Sequence, residues 1–151
     1  MILIINICKE KLHYFEFVKP IEDILKKSKT KFFTIHYKDI IQKDIAKADK
    51  VIICGTSLKD NDFLENLEKF EWLKGYPKPV LGICGGMQII GIINGKKLIK
   101  KKQIGLIDNK YHIHNFGLKD FKDELEIENY RGYLFHPEVR NKELIEMFAK
   151  D

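Results

Sequence analysis

The chain has 151 residues, enough for one domain with one sizeable core, and its 44% hydrophobic content is that of an ordinary globular protein. The net charge of +5 comes almost wholly from lysine, with Arg131 and Arg140 the only arginines and 22 acidic residues interspersed, so a nucleic-acid reader gripping bases and phosphates through arginine is not expected. No apolar run approaches the ~20 residues of a membrane helix, and three cysteines without a Cys-x-x-Cys pair suggest neither a disulfide framework nor a zinc site.

In chain order, Ile2–Ile7 reads as a buried strand. It lacks the basic segment and small-residue cleavage site of a signal peptide, and a cytoplasmic protein is expected. Val18–Lys27 reads as a helix with Pro20 in its first turn. Lys31–His36 is rich in aromatic and β-branched residues and reads as a strand. Ile40–Ala48 is a short helix, and Lys50–Cys54, ending at Gly55, a third strand. Asp60–Leu73 carries Phe63, Leu64, Leu67, Phe70 and Leu73 at helical spacing. Pro77 and Pro79 break the chain before strand Val80–Cys84 and helix Gly85–Asn94.

The second half changes character. Leu98–Ile107, Tyr111–Asn115, Leu125–Glu128 and Gly132–Phe135 read as strands with little helix between them, and Asn141 is placed to cap a last helix, Lys142–Ala149. The cluster Lys96-Lys97 with Lys100-Lys101-Lys102 reads as a solvated edge. His112 and His114 would share a strand face but have no third ligand nearby, so no metal is expected. Strands alternating with helices predict a single α/β domain over residues 1–151: three layers, a mostly parallel central sheet, helices on both faces.

The most informative segment is Val80-Leu81-Gly82-Ile83-Cys84-Gly85-Gly86-Met87-Gln88, a strand running through Gly-x-Cys-x-Gly into a helix. This is the cysteine form of a nucleophile elbow. Glycines two before and two after the cysteine let backbone pass without clashing Cβ atoms. A sulfur at a helix N-terminus is favoured as thiolate, and the Gly85 amide is placed to face an oxyanion. Taken alone, the segment also fits a buried core cysteine or a phosphate-binding turn. Near the C-terminus, Phe135-His136-Pro137-Glu138 follows a strand. Residues i and i+2 at a strand end face the same way, so Glu138 can orient His136 and stabilise its imidazolium. A single His-x-Glu also fits a surface turn.

Together, Gly82, Cys84, Gly86 and Gln88, then Phe135, His136, Pro137 and Glu138, resemble the class I glutamine amidotransferases in motif type and order. The resemblance implies a flavodoxin-like fold and glutamine as substrate. It makes Cys84 the nucleophile, His136 the base and acid, and Glu138 its orienter. It gives oxyanion donors at Gly55 and Gly85 and substrate contacts at Gln88, His114 and Asn115. It implies no cofactor and a separate ammonia-accepting synthetase subunit, GMP synthase being one candidate. A γ-glutamyl hydrolase or a non-catalytic regulatory homologue are the alternatives on the same scaffold. Three features depart from the family pattern: Gly55-Thr56-Ser57 stands where Gly-Gly-Pro is common, Met87 where histidine is common, and the stretch from His114 to His136 is short. In an idle subunit of this kind the loop turns a carbonyl of Gly55 or Thr56 toward the Cys84 sulfur.

Overall fold

Short strands apolar on both faces must be covered on both faces, and that requirement organises the computed structural model, which describes residues 1–151. The strands are β1 (Ile2–Asn6), β2 (Phe32–His36), β3 (Lys50–Ile53), β4 (Val80–Ile83), β5 (Leu98–Ile107), β6 (Lys110–Leu118), β7 (Glu124–Ile127) and β8 (Tyr130–Tyr133). The helices are α1 (Lys11–Phe17), α2 (Lys19–Lys27), α3 (Gln42–Lys47), α4 (Gly85–Ile93), α5 (Pro137–Arg140) and α6 (Lys142–Lys150). None is long and apolar enough to cross a membrane.

The central sheet has six strands in the order β2-β1-β3-β4-β8-β7. β2 through β8 in that order pair in parallel, and β7 pairs antiparallel with β8 at one edge. Side chains alternate between two cores. Leu3, Ile5, Val51, Ile53 and Val80 pack against α3 and α4. Ile2, Ile4, Ile52, Leu81 and Ile83 pack against α1, α2 and α6. This is the expected three-layer arrangement. The long strands β5 and β6 lie outside it, as a separate two-stranded antiparallel ribbon.

The differences from the sequence reading have local causes. α1 precedes the expected helix; its Leu12 and Phe15 are exposed and only Phe17 is buried, so it carries no apolar stripe to read. Helix geometry breaks at Val18, because Pro20 cannot donate to the preceding turn. The span Asp60–Leu73 is not an α-helix but two 3₁₀ segments, Asp62–Glu65 and Leu67–Leu73. Leu64, Leu67, Phe70 and Leu73 recur every third residue, which is the 3₁₀ period. β8 starts two residues before the expected Gly132–Phe135, because Glu128, at φ 50°, turns the chain tightly out of β7. Asn141 precedes α6, but its side chain makes no cap; Leu144 N–H donates to its backbone carbonyl instead, at 3.0 Å.

α4 seats on β3 and β4 at backbone contact distance. A Cβ on Gly86 would lie 2.2 Å from the Ile53 carbonyl oxygen, and one on Gly82 would lie 2.5 Å from the Gly86 carbonyl. Neither neighbour is a flexible side chain that can yield. Gly86→Ala is therefore expected to lower unfolding free energy by about 3 kcal/mol, measured as a shift of the urea midpoint at unchanged slope.

Candidate active site

Cys84 is the single residue between β4 and α4, and it adopts φ 50°, ψ −104°, a conformation that non-glycine residues avoid. The surroundings over-determine it. Its N–H donates to the Tyr133 carbonyl at 2.6 Å, its carbonyl accepts from Gln88 N–H at 3.1 Å, and Gly82 and Gly86 allow the backbone to close around it. Cys84 is 4% exposed and sits at the N-terminal end of α4.

His136 is fully buried and its Nδ1 lies 2.8 Å from Glu138 Oε1. The spacing that brings them together is not that of a strand end. β8 stops at Tyr133, His136 is the residue before α5, Pro137 opens that helix and Glu138 lies in its first turn. Helix φ and ψ, not pleating, return the carboxylate onto the imidazole. Burial alone would lower the His136 pKa, but the charges of Glu138 and Cys84 and hydrogen bonds with both raise it well above its ordinary value. Phe17 and Tyr111 flank the ring at 5.4 and 6.1 Å between centroids. Glu138 Oε2 is buried without a partner.

Gly55 joins this pair. A Cβ there would lie 2.8 Å from His136 Cε1 and 3.2 Å from Cys84 Cβ, so glycine is needed for these three residues to meet. The Gly55 carbonyl does not face Cys84; it lies 3.8 Å from Cys8 Sγ, on the β1 side. All peptides are trans, so the Thr56 N–H points away from Cys8. Neither the Gly55 nor the Thr56 amide donates to an acceptor within the protein, and buried unpaired amides are rare. The carbonyl that does meet the sulfur comes from β6: Ile113 O lies 3.3 Å from Cys84 Sγ and 3.4 Å from His136 Nε2. Nothing in the sequence signals this contact, because it uses backbone atoms of a residue with an inert side chain.

The remaining expected residues line one crevice with Cys84 and Gly85. Gln88 Nε2 donates to Phe116 O at 2.9 Å, and Asn115 Nδ2 to Leu58 O at 2.9 Å. His114 Nε2 lies 3.1 Å from Gln103 Oε1, and burial pushes its pKa down to about 4. The crevice holds about 20 Å³, room for one water molecule. The Ile113 backbone of β6 lies across it, against the Cys84 sulfur. Among the other thiols, burial raises Cys8 to about 11 and Cys54 well above its ordinary range. No three His, Cys, Asp or Glu side chains converge as they would around a metal ion.

A family model described as glutamine amidotransferase class-I matches residues 13–151. Imidazole glycerol phosphate synthase subunit HisH 2 of Campylobacter jejuni (strain RM1221) is 35% identical over 69 residues, 44% of this chain and 34% of that protein. The match thus takes in about a third of the curated relative, 34% of its length. Among solved structures, a proposed GMP synthase component from Thermoplasma acidophilum superposes with a TM-score of 0.79 at 16% identity, covering 99% of this chain and 92% of that one. A glutamine amidotransferase from Thermotoga maritima gives 0.65 at 17% identity, covering 99% and 82%. At such identities the structural likeness speaks to the fold alone.

Two titrations test the electrostatics. Glu138→Gln removes a charge that holds the His136 proton, so the imidazole titration followed by NMR is expected to move to lower pH than in the wild type. His114 in the folded chain refuses a proton, at about 4, that the unfolded chain accepts near 6.5. The unfolded state therefore binds more protons between those values, and stability falls as pH drops through that window. His114→Gln is expected to flatten this part of the stability–pH curve measured by denaturant unfolding.

Proposed function

The chain belongs to the glutamine amidotransferase class-I family, and from that premise we propose that it hydrolyses the side-chain amide of glutamine and supplies ammonia to a separate synthetase subunit in the cytoplasm. The observation that carries the reading is the meeting of Gly55, Cys84 and His136, with Glu138 Oε1 2.8 Å behind the imidazole. Cys84 Sγ attacks the amide carbon as a thiolate whose proton already rests on His136, held there by Glu138. The oxygen becomes an oxyanion within reach of the Gly85 amide and the amides of the Gly55–Thr56 turn. His136 returns the proton to the nitrogen, the C–N bond breaks and ammonia leaves a glutamyl thioester. Water, deprotonated by His136, then cleaves the thioester to glutamate. Glu138 holds the imidazole in one tautomer and stabilises its charged form.

Gln88, His114 and Asn115 border the proposed glutamine pocket. His114 serves there as a neutral hydrogen-bonding group, because burial keeps it uncharged at neutral pH. The acceptor is a synthetase of the kind the similar proteins are named for, GMP synthase being one candidate. One observation favours a second reading. With Ile113 O on Cys84 Sγ and about 20 Å³ of space, the site is at rest, which also suits a regulatory homologue that never turns over.

A glutamine-like diazoketone is expected to label Cys84 and leave Cys8 and Cys54 unmodified, read by peptide mass spectrometry; label on either of the others with Cys84 free refutes the nucleophile. Cys84→Ser is expected to lower ammonia release by about 10⁴-fold. The lone chain is expected to be a slow glutaminase, accelerated by about 10²–10³-fold when a docked synthetase shifts the Ile113 backbone off Cys84 and admits the substrate. An intact chain that stays silent with every synthetase and its substrates supports the regulatory homologue instead.

A further inference from the structure

Asp60 is a buried acid that the proposed chemistry does not use. It is 5% exposed, and its Oδ2 gathers three donors from three separate segments. Thr56 Oγ1 donates at 3.0 Å, Lys9 N–H at 2.7 Å from the turn after β1, and His13 Nδ1 lies at 3.0 Å from α1. Asp60 N–H closes a turn onto the Ser57 carbonyl at 3.1 Å. Its second oxygen, Oδ1, is buried with no partner. Such a carboxylate is a costly choice for stability alone, since an apolar residue of similar volume would avoid the desolvation.

What the cluster does hold is the shape of one loop. From Cys54 to Asn61 the chain has no regular secondary structure, and an untethered loop of that kind samples many conformations. Yet this loop carries Gly55 against Cys84 and His136, and the two unpaired amides of Gly55 and Thr56. Thr56 is itself 5% exposed. With its side chain fixed on Asp60 and the Gly55 carbonyl on Cys8 Sγ at 3.8 Å, the Gly55–Thr56 peptide plane is tied on both sides. We propose that Asp60 is a positioning residue, whose carboxylate anchors Thr56 to the β1–α1 segment and so aims the Gly55–Thr56 peptide at the oxyanion that forms when Cys84 attacks. The threonine that stands where the family commonly has Gly-Gly-Pro is then the replacement anchor: a hydroxyl on a buried acid does the stiffening that a proline ring would do.

The inference rests on the glutaminase reading for its kinetic part and on the loop alone for its structural part. Both are measured on the full chain, as wild type, Thr56→Val, Thr56→Ser and Asp60→Asn. Amide hydrogen exchange at residues 55–57 is expected to quicken in Thr56→Val and Asp60→Asn and to stay at the wild-type rate in Thr56→Ser. Ammonia release is expected to lose about 100-fold in kcat in the first two with little change in KM. Thr56→Ser is expected to recover it. Alkylation of Cys84 by iodoacetamide, which needs no oxyanion donor, is expected to keep its wild-type rate in all four. Unchanged exchange in Thr56→Val and Asp60→Asn overturns the proposal, as does a kcat loss that Ser fails to recover or that Cys84 alkylation shares. If the wild type releases no ammonia while the exchange pattern holds, the glutaminase reading fails and the anchoring role stands.

Discussion

A single residue with φ 50° connects β4 to α4, and the arrangement around it follows from making that conformation possible. The turn places the sulfur at the C-terminal end of a parallel sheet and at the N-terminal end of a helix at once. In exchange it excludes side chains from Gly82 and Gly86, since α4 rests on the β3 backbone through the Ile53 carbonyl. It also requires β8 as neighbour to β4, because the Cys84 N–H has its acceptor on Tyr133. His136 then follows three residues after β8 ends, so the strand that supports the Cys84 turn also delivers the histidine. One backbone hydrogen bond thus couples the placement of Cys84 and His136.

Electrostatics sorts the buried ionisable groups into those that carry charge and those that do not. His136 keeps its proton because Glu138 lies against it and Cys84 faces it, and these outweigh burial. His114, also a buried ring, has the Gln103 amide oxygen at 3.1 Å and no carboxylate against it, so desolvation prevails and it stays neutral. The same residue type is given opposite charge states a short distance apart, by the presence or absence of one acid.

Much of this was legible in the sequence wherever side-chain type carries the information. The apolar runs Ile2–Ile7, Lys50–Cys54 and Val80–Cys84 gave the parallel strands, because burial on both faces leaves few alternatives. The Gly-x-Cys-x-Gly and His-Pro-Glu segments brought the site residues to notice, and the structure gathers Gly55, Cys84, His136 and Glu138 at one point. What escaped the reading depends on backbone or on context. The 3₁₀ segments after Asn61 mimic an α-helix in composition and differ only in a period of three instead of 3.6. The Ile113 carbonyl has no side-chain signature. Asp60 reads as the first residue of a helical span until Lys9, His13 and Thr56 are seen to converge on it.

The pairing of β4 with β8 has a further consequence, for the order in which reactivity arises. Between these strands the chain runs through α4, the β5–β6 ribbon and β7. The ribbon and the β7–β8 hairpin are local structures that close quickly, whereas the parallel contact between β4 and β8 spans a long loop and carries the entropic cost of closing it. Until that contact forms, Cys84 lacks its Tyr133 acceptor and His136 is not nearby. A nascent or partly folded chain therefore lacks this arrangement, and Cys84, His136 and Glu138 come together only in a molecule whose sheet is already complete.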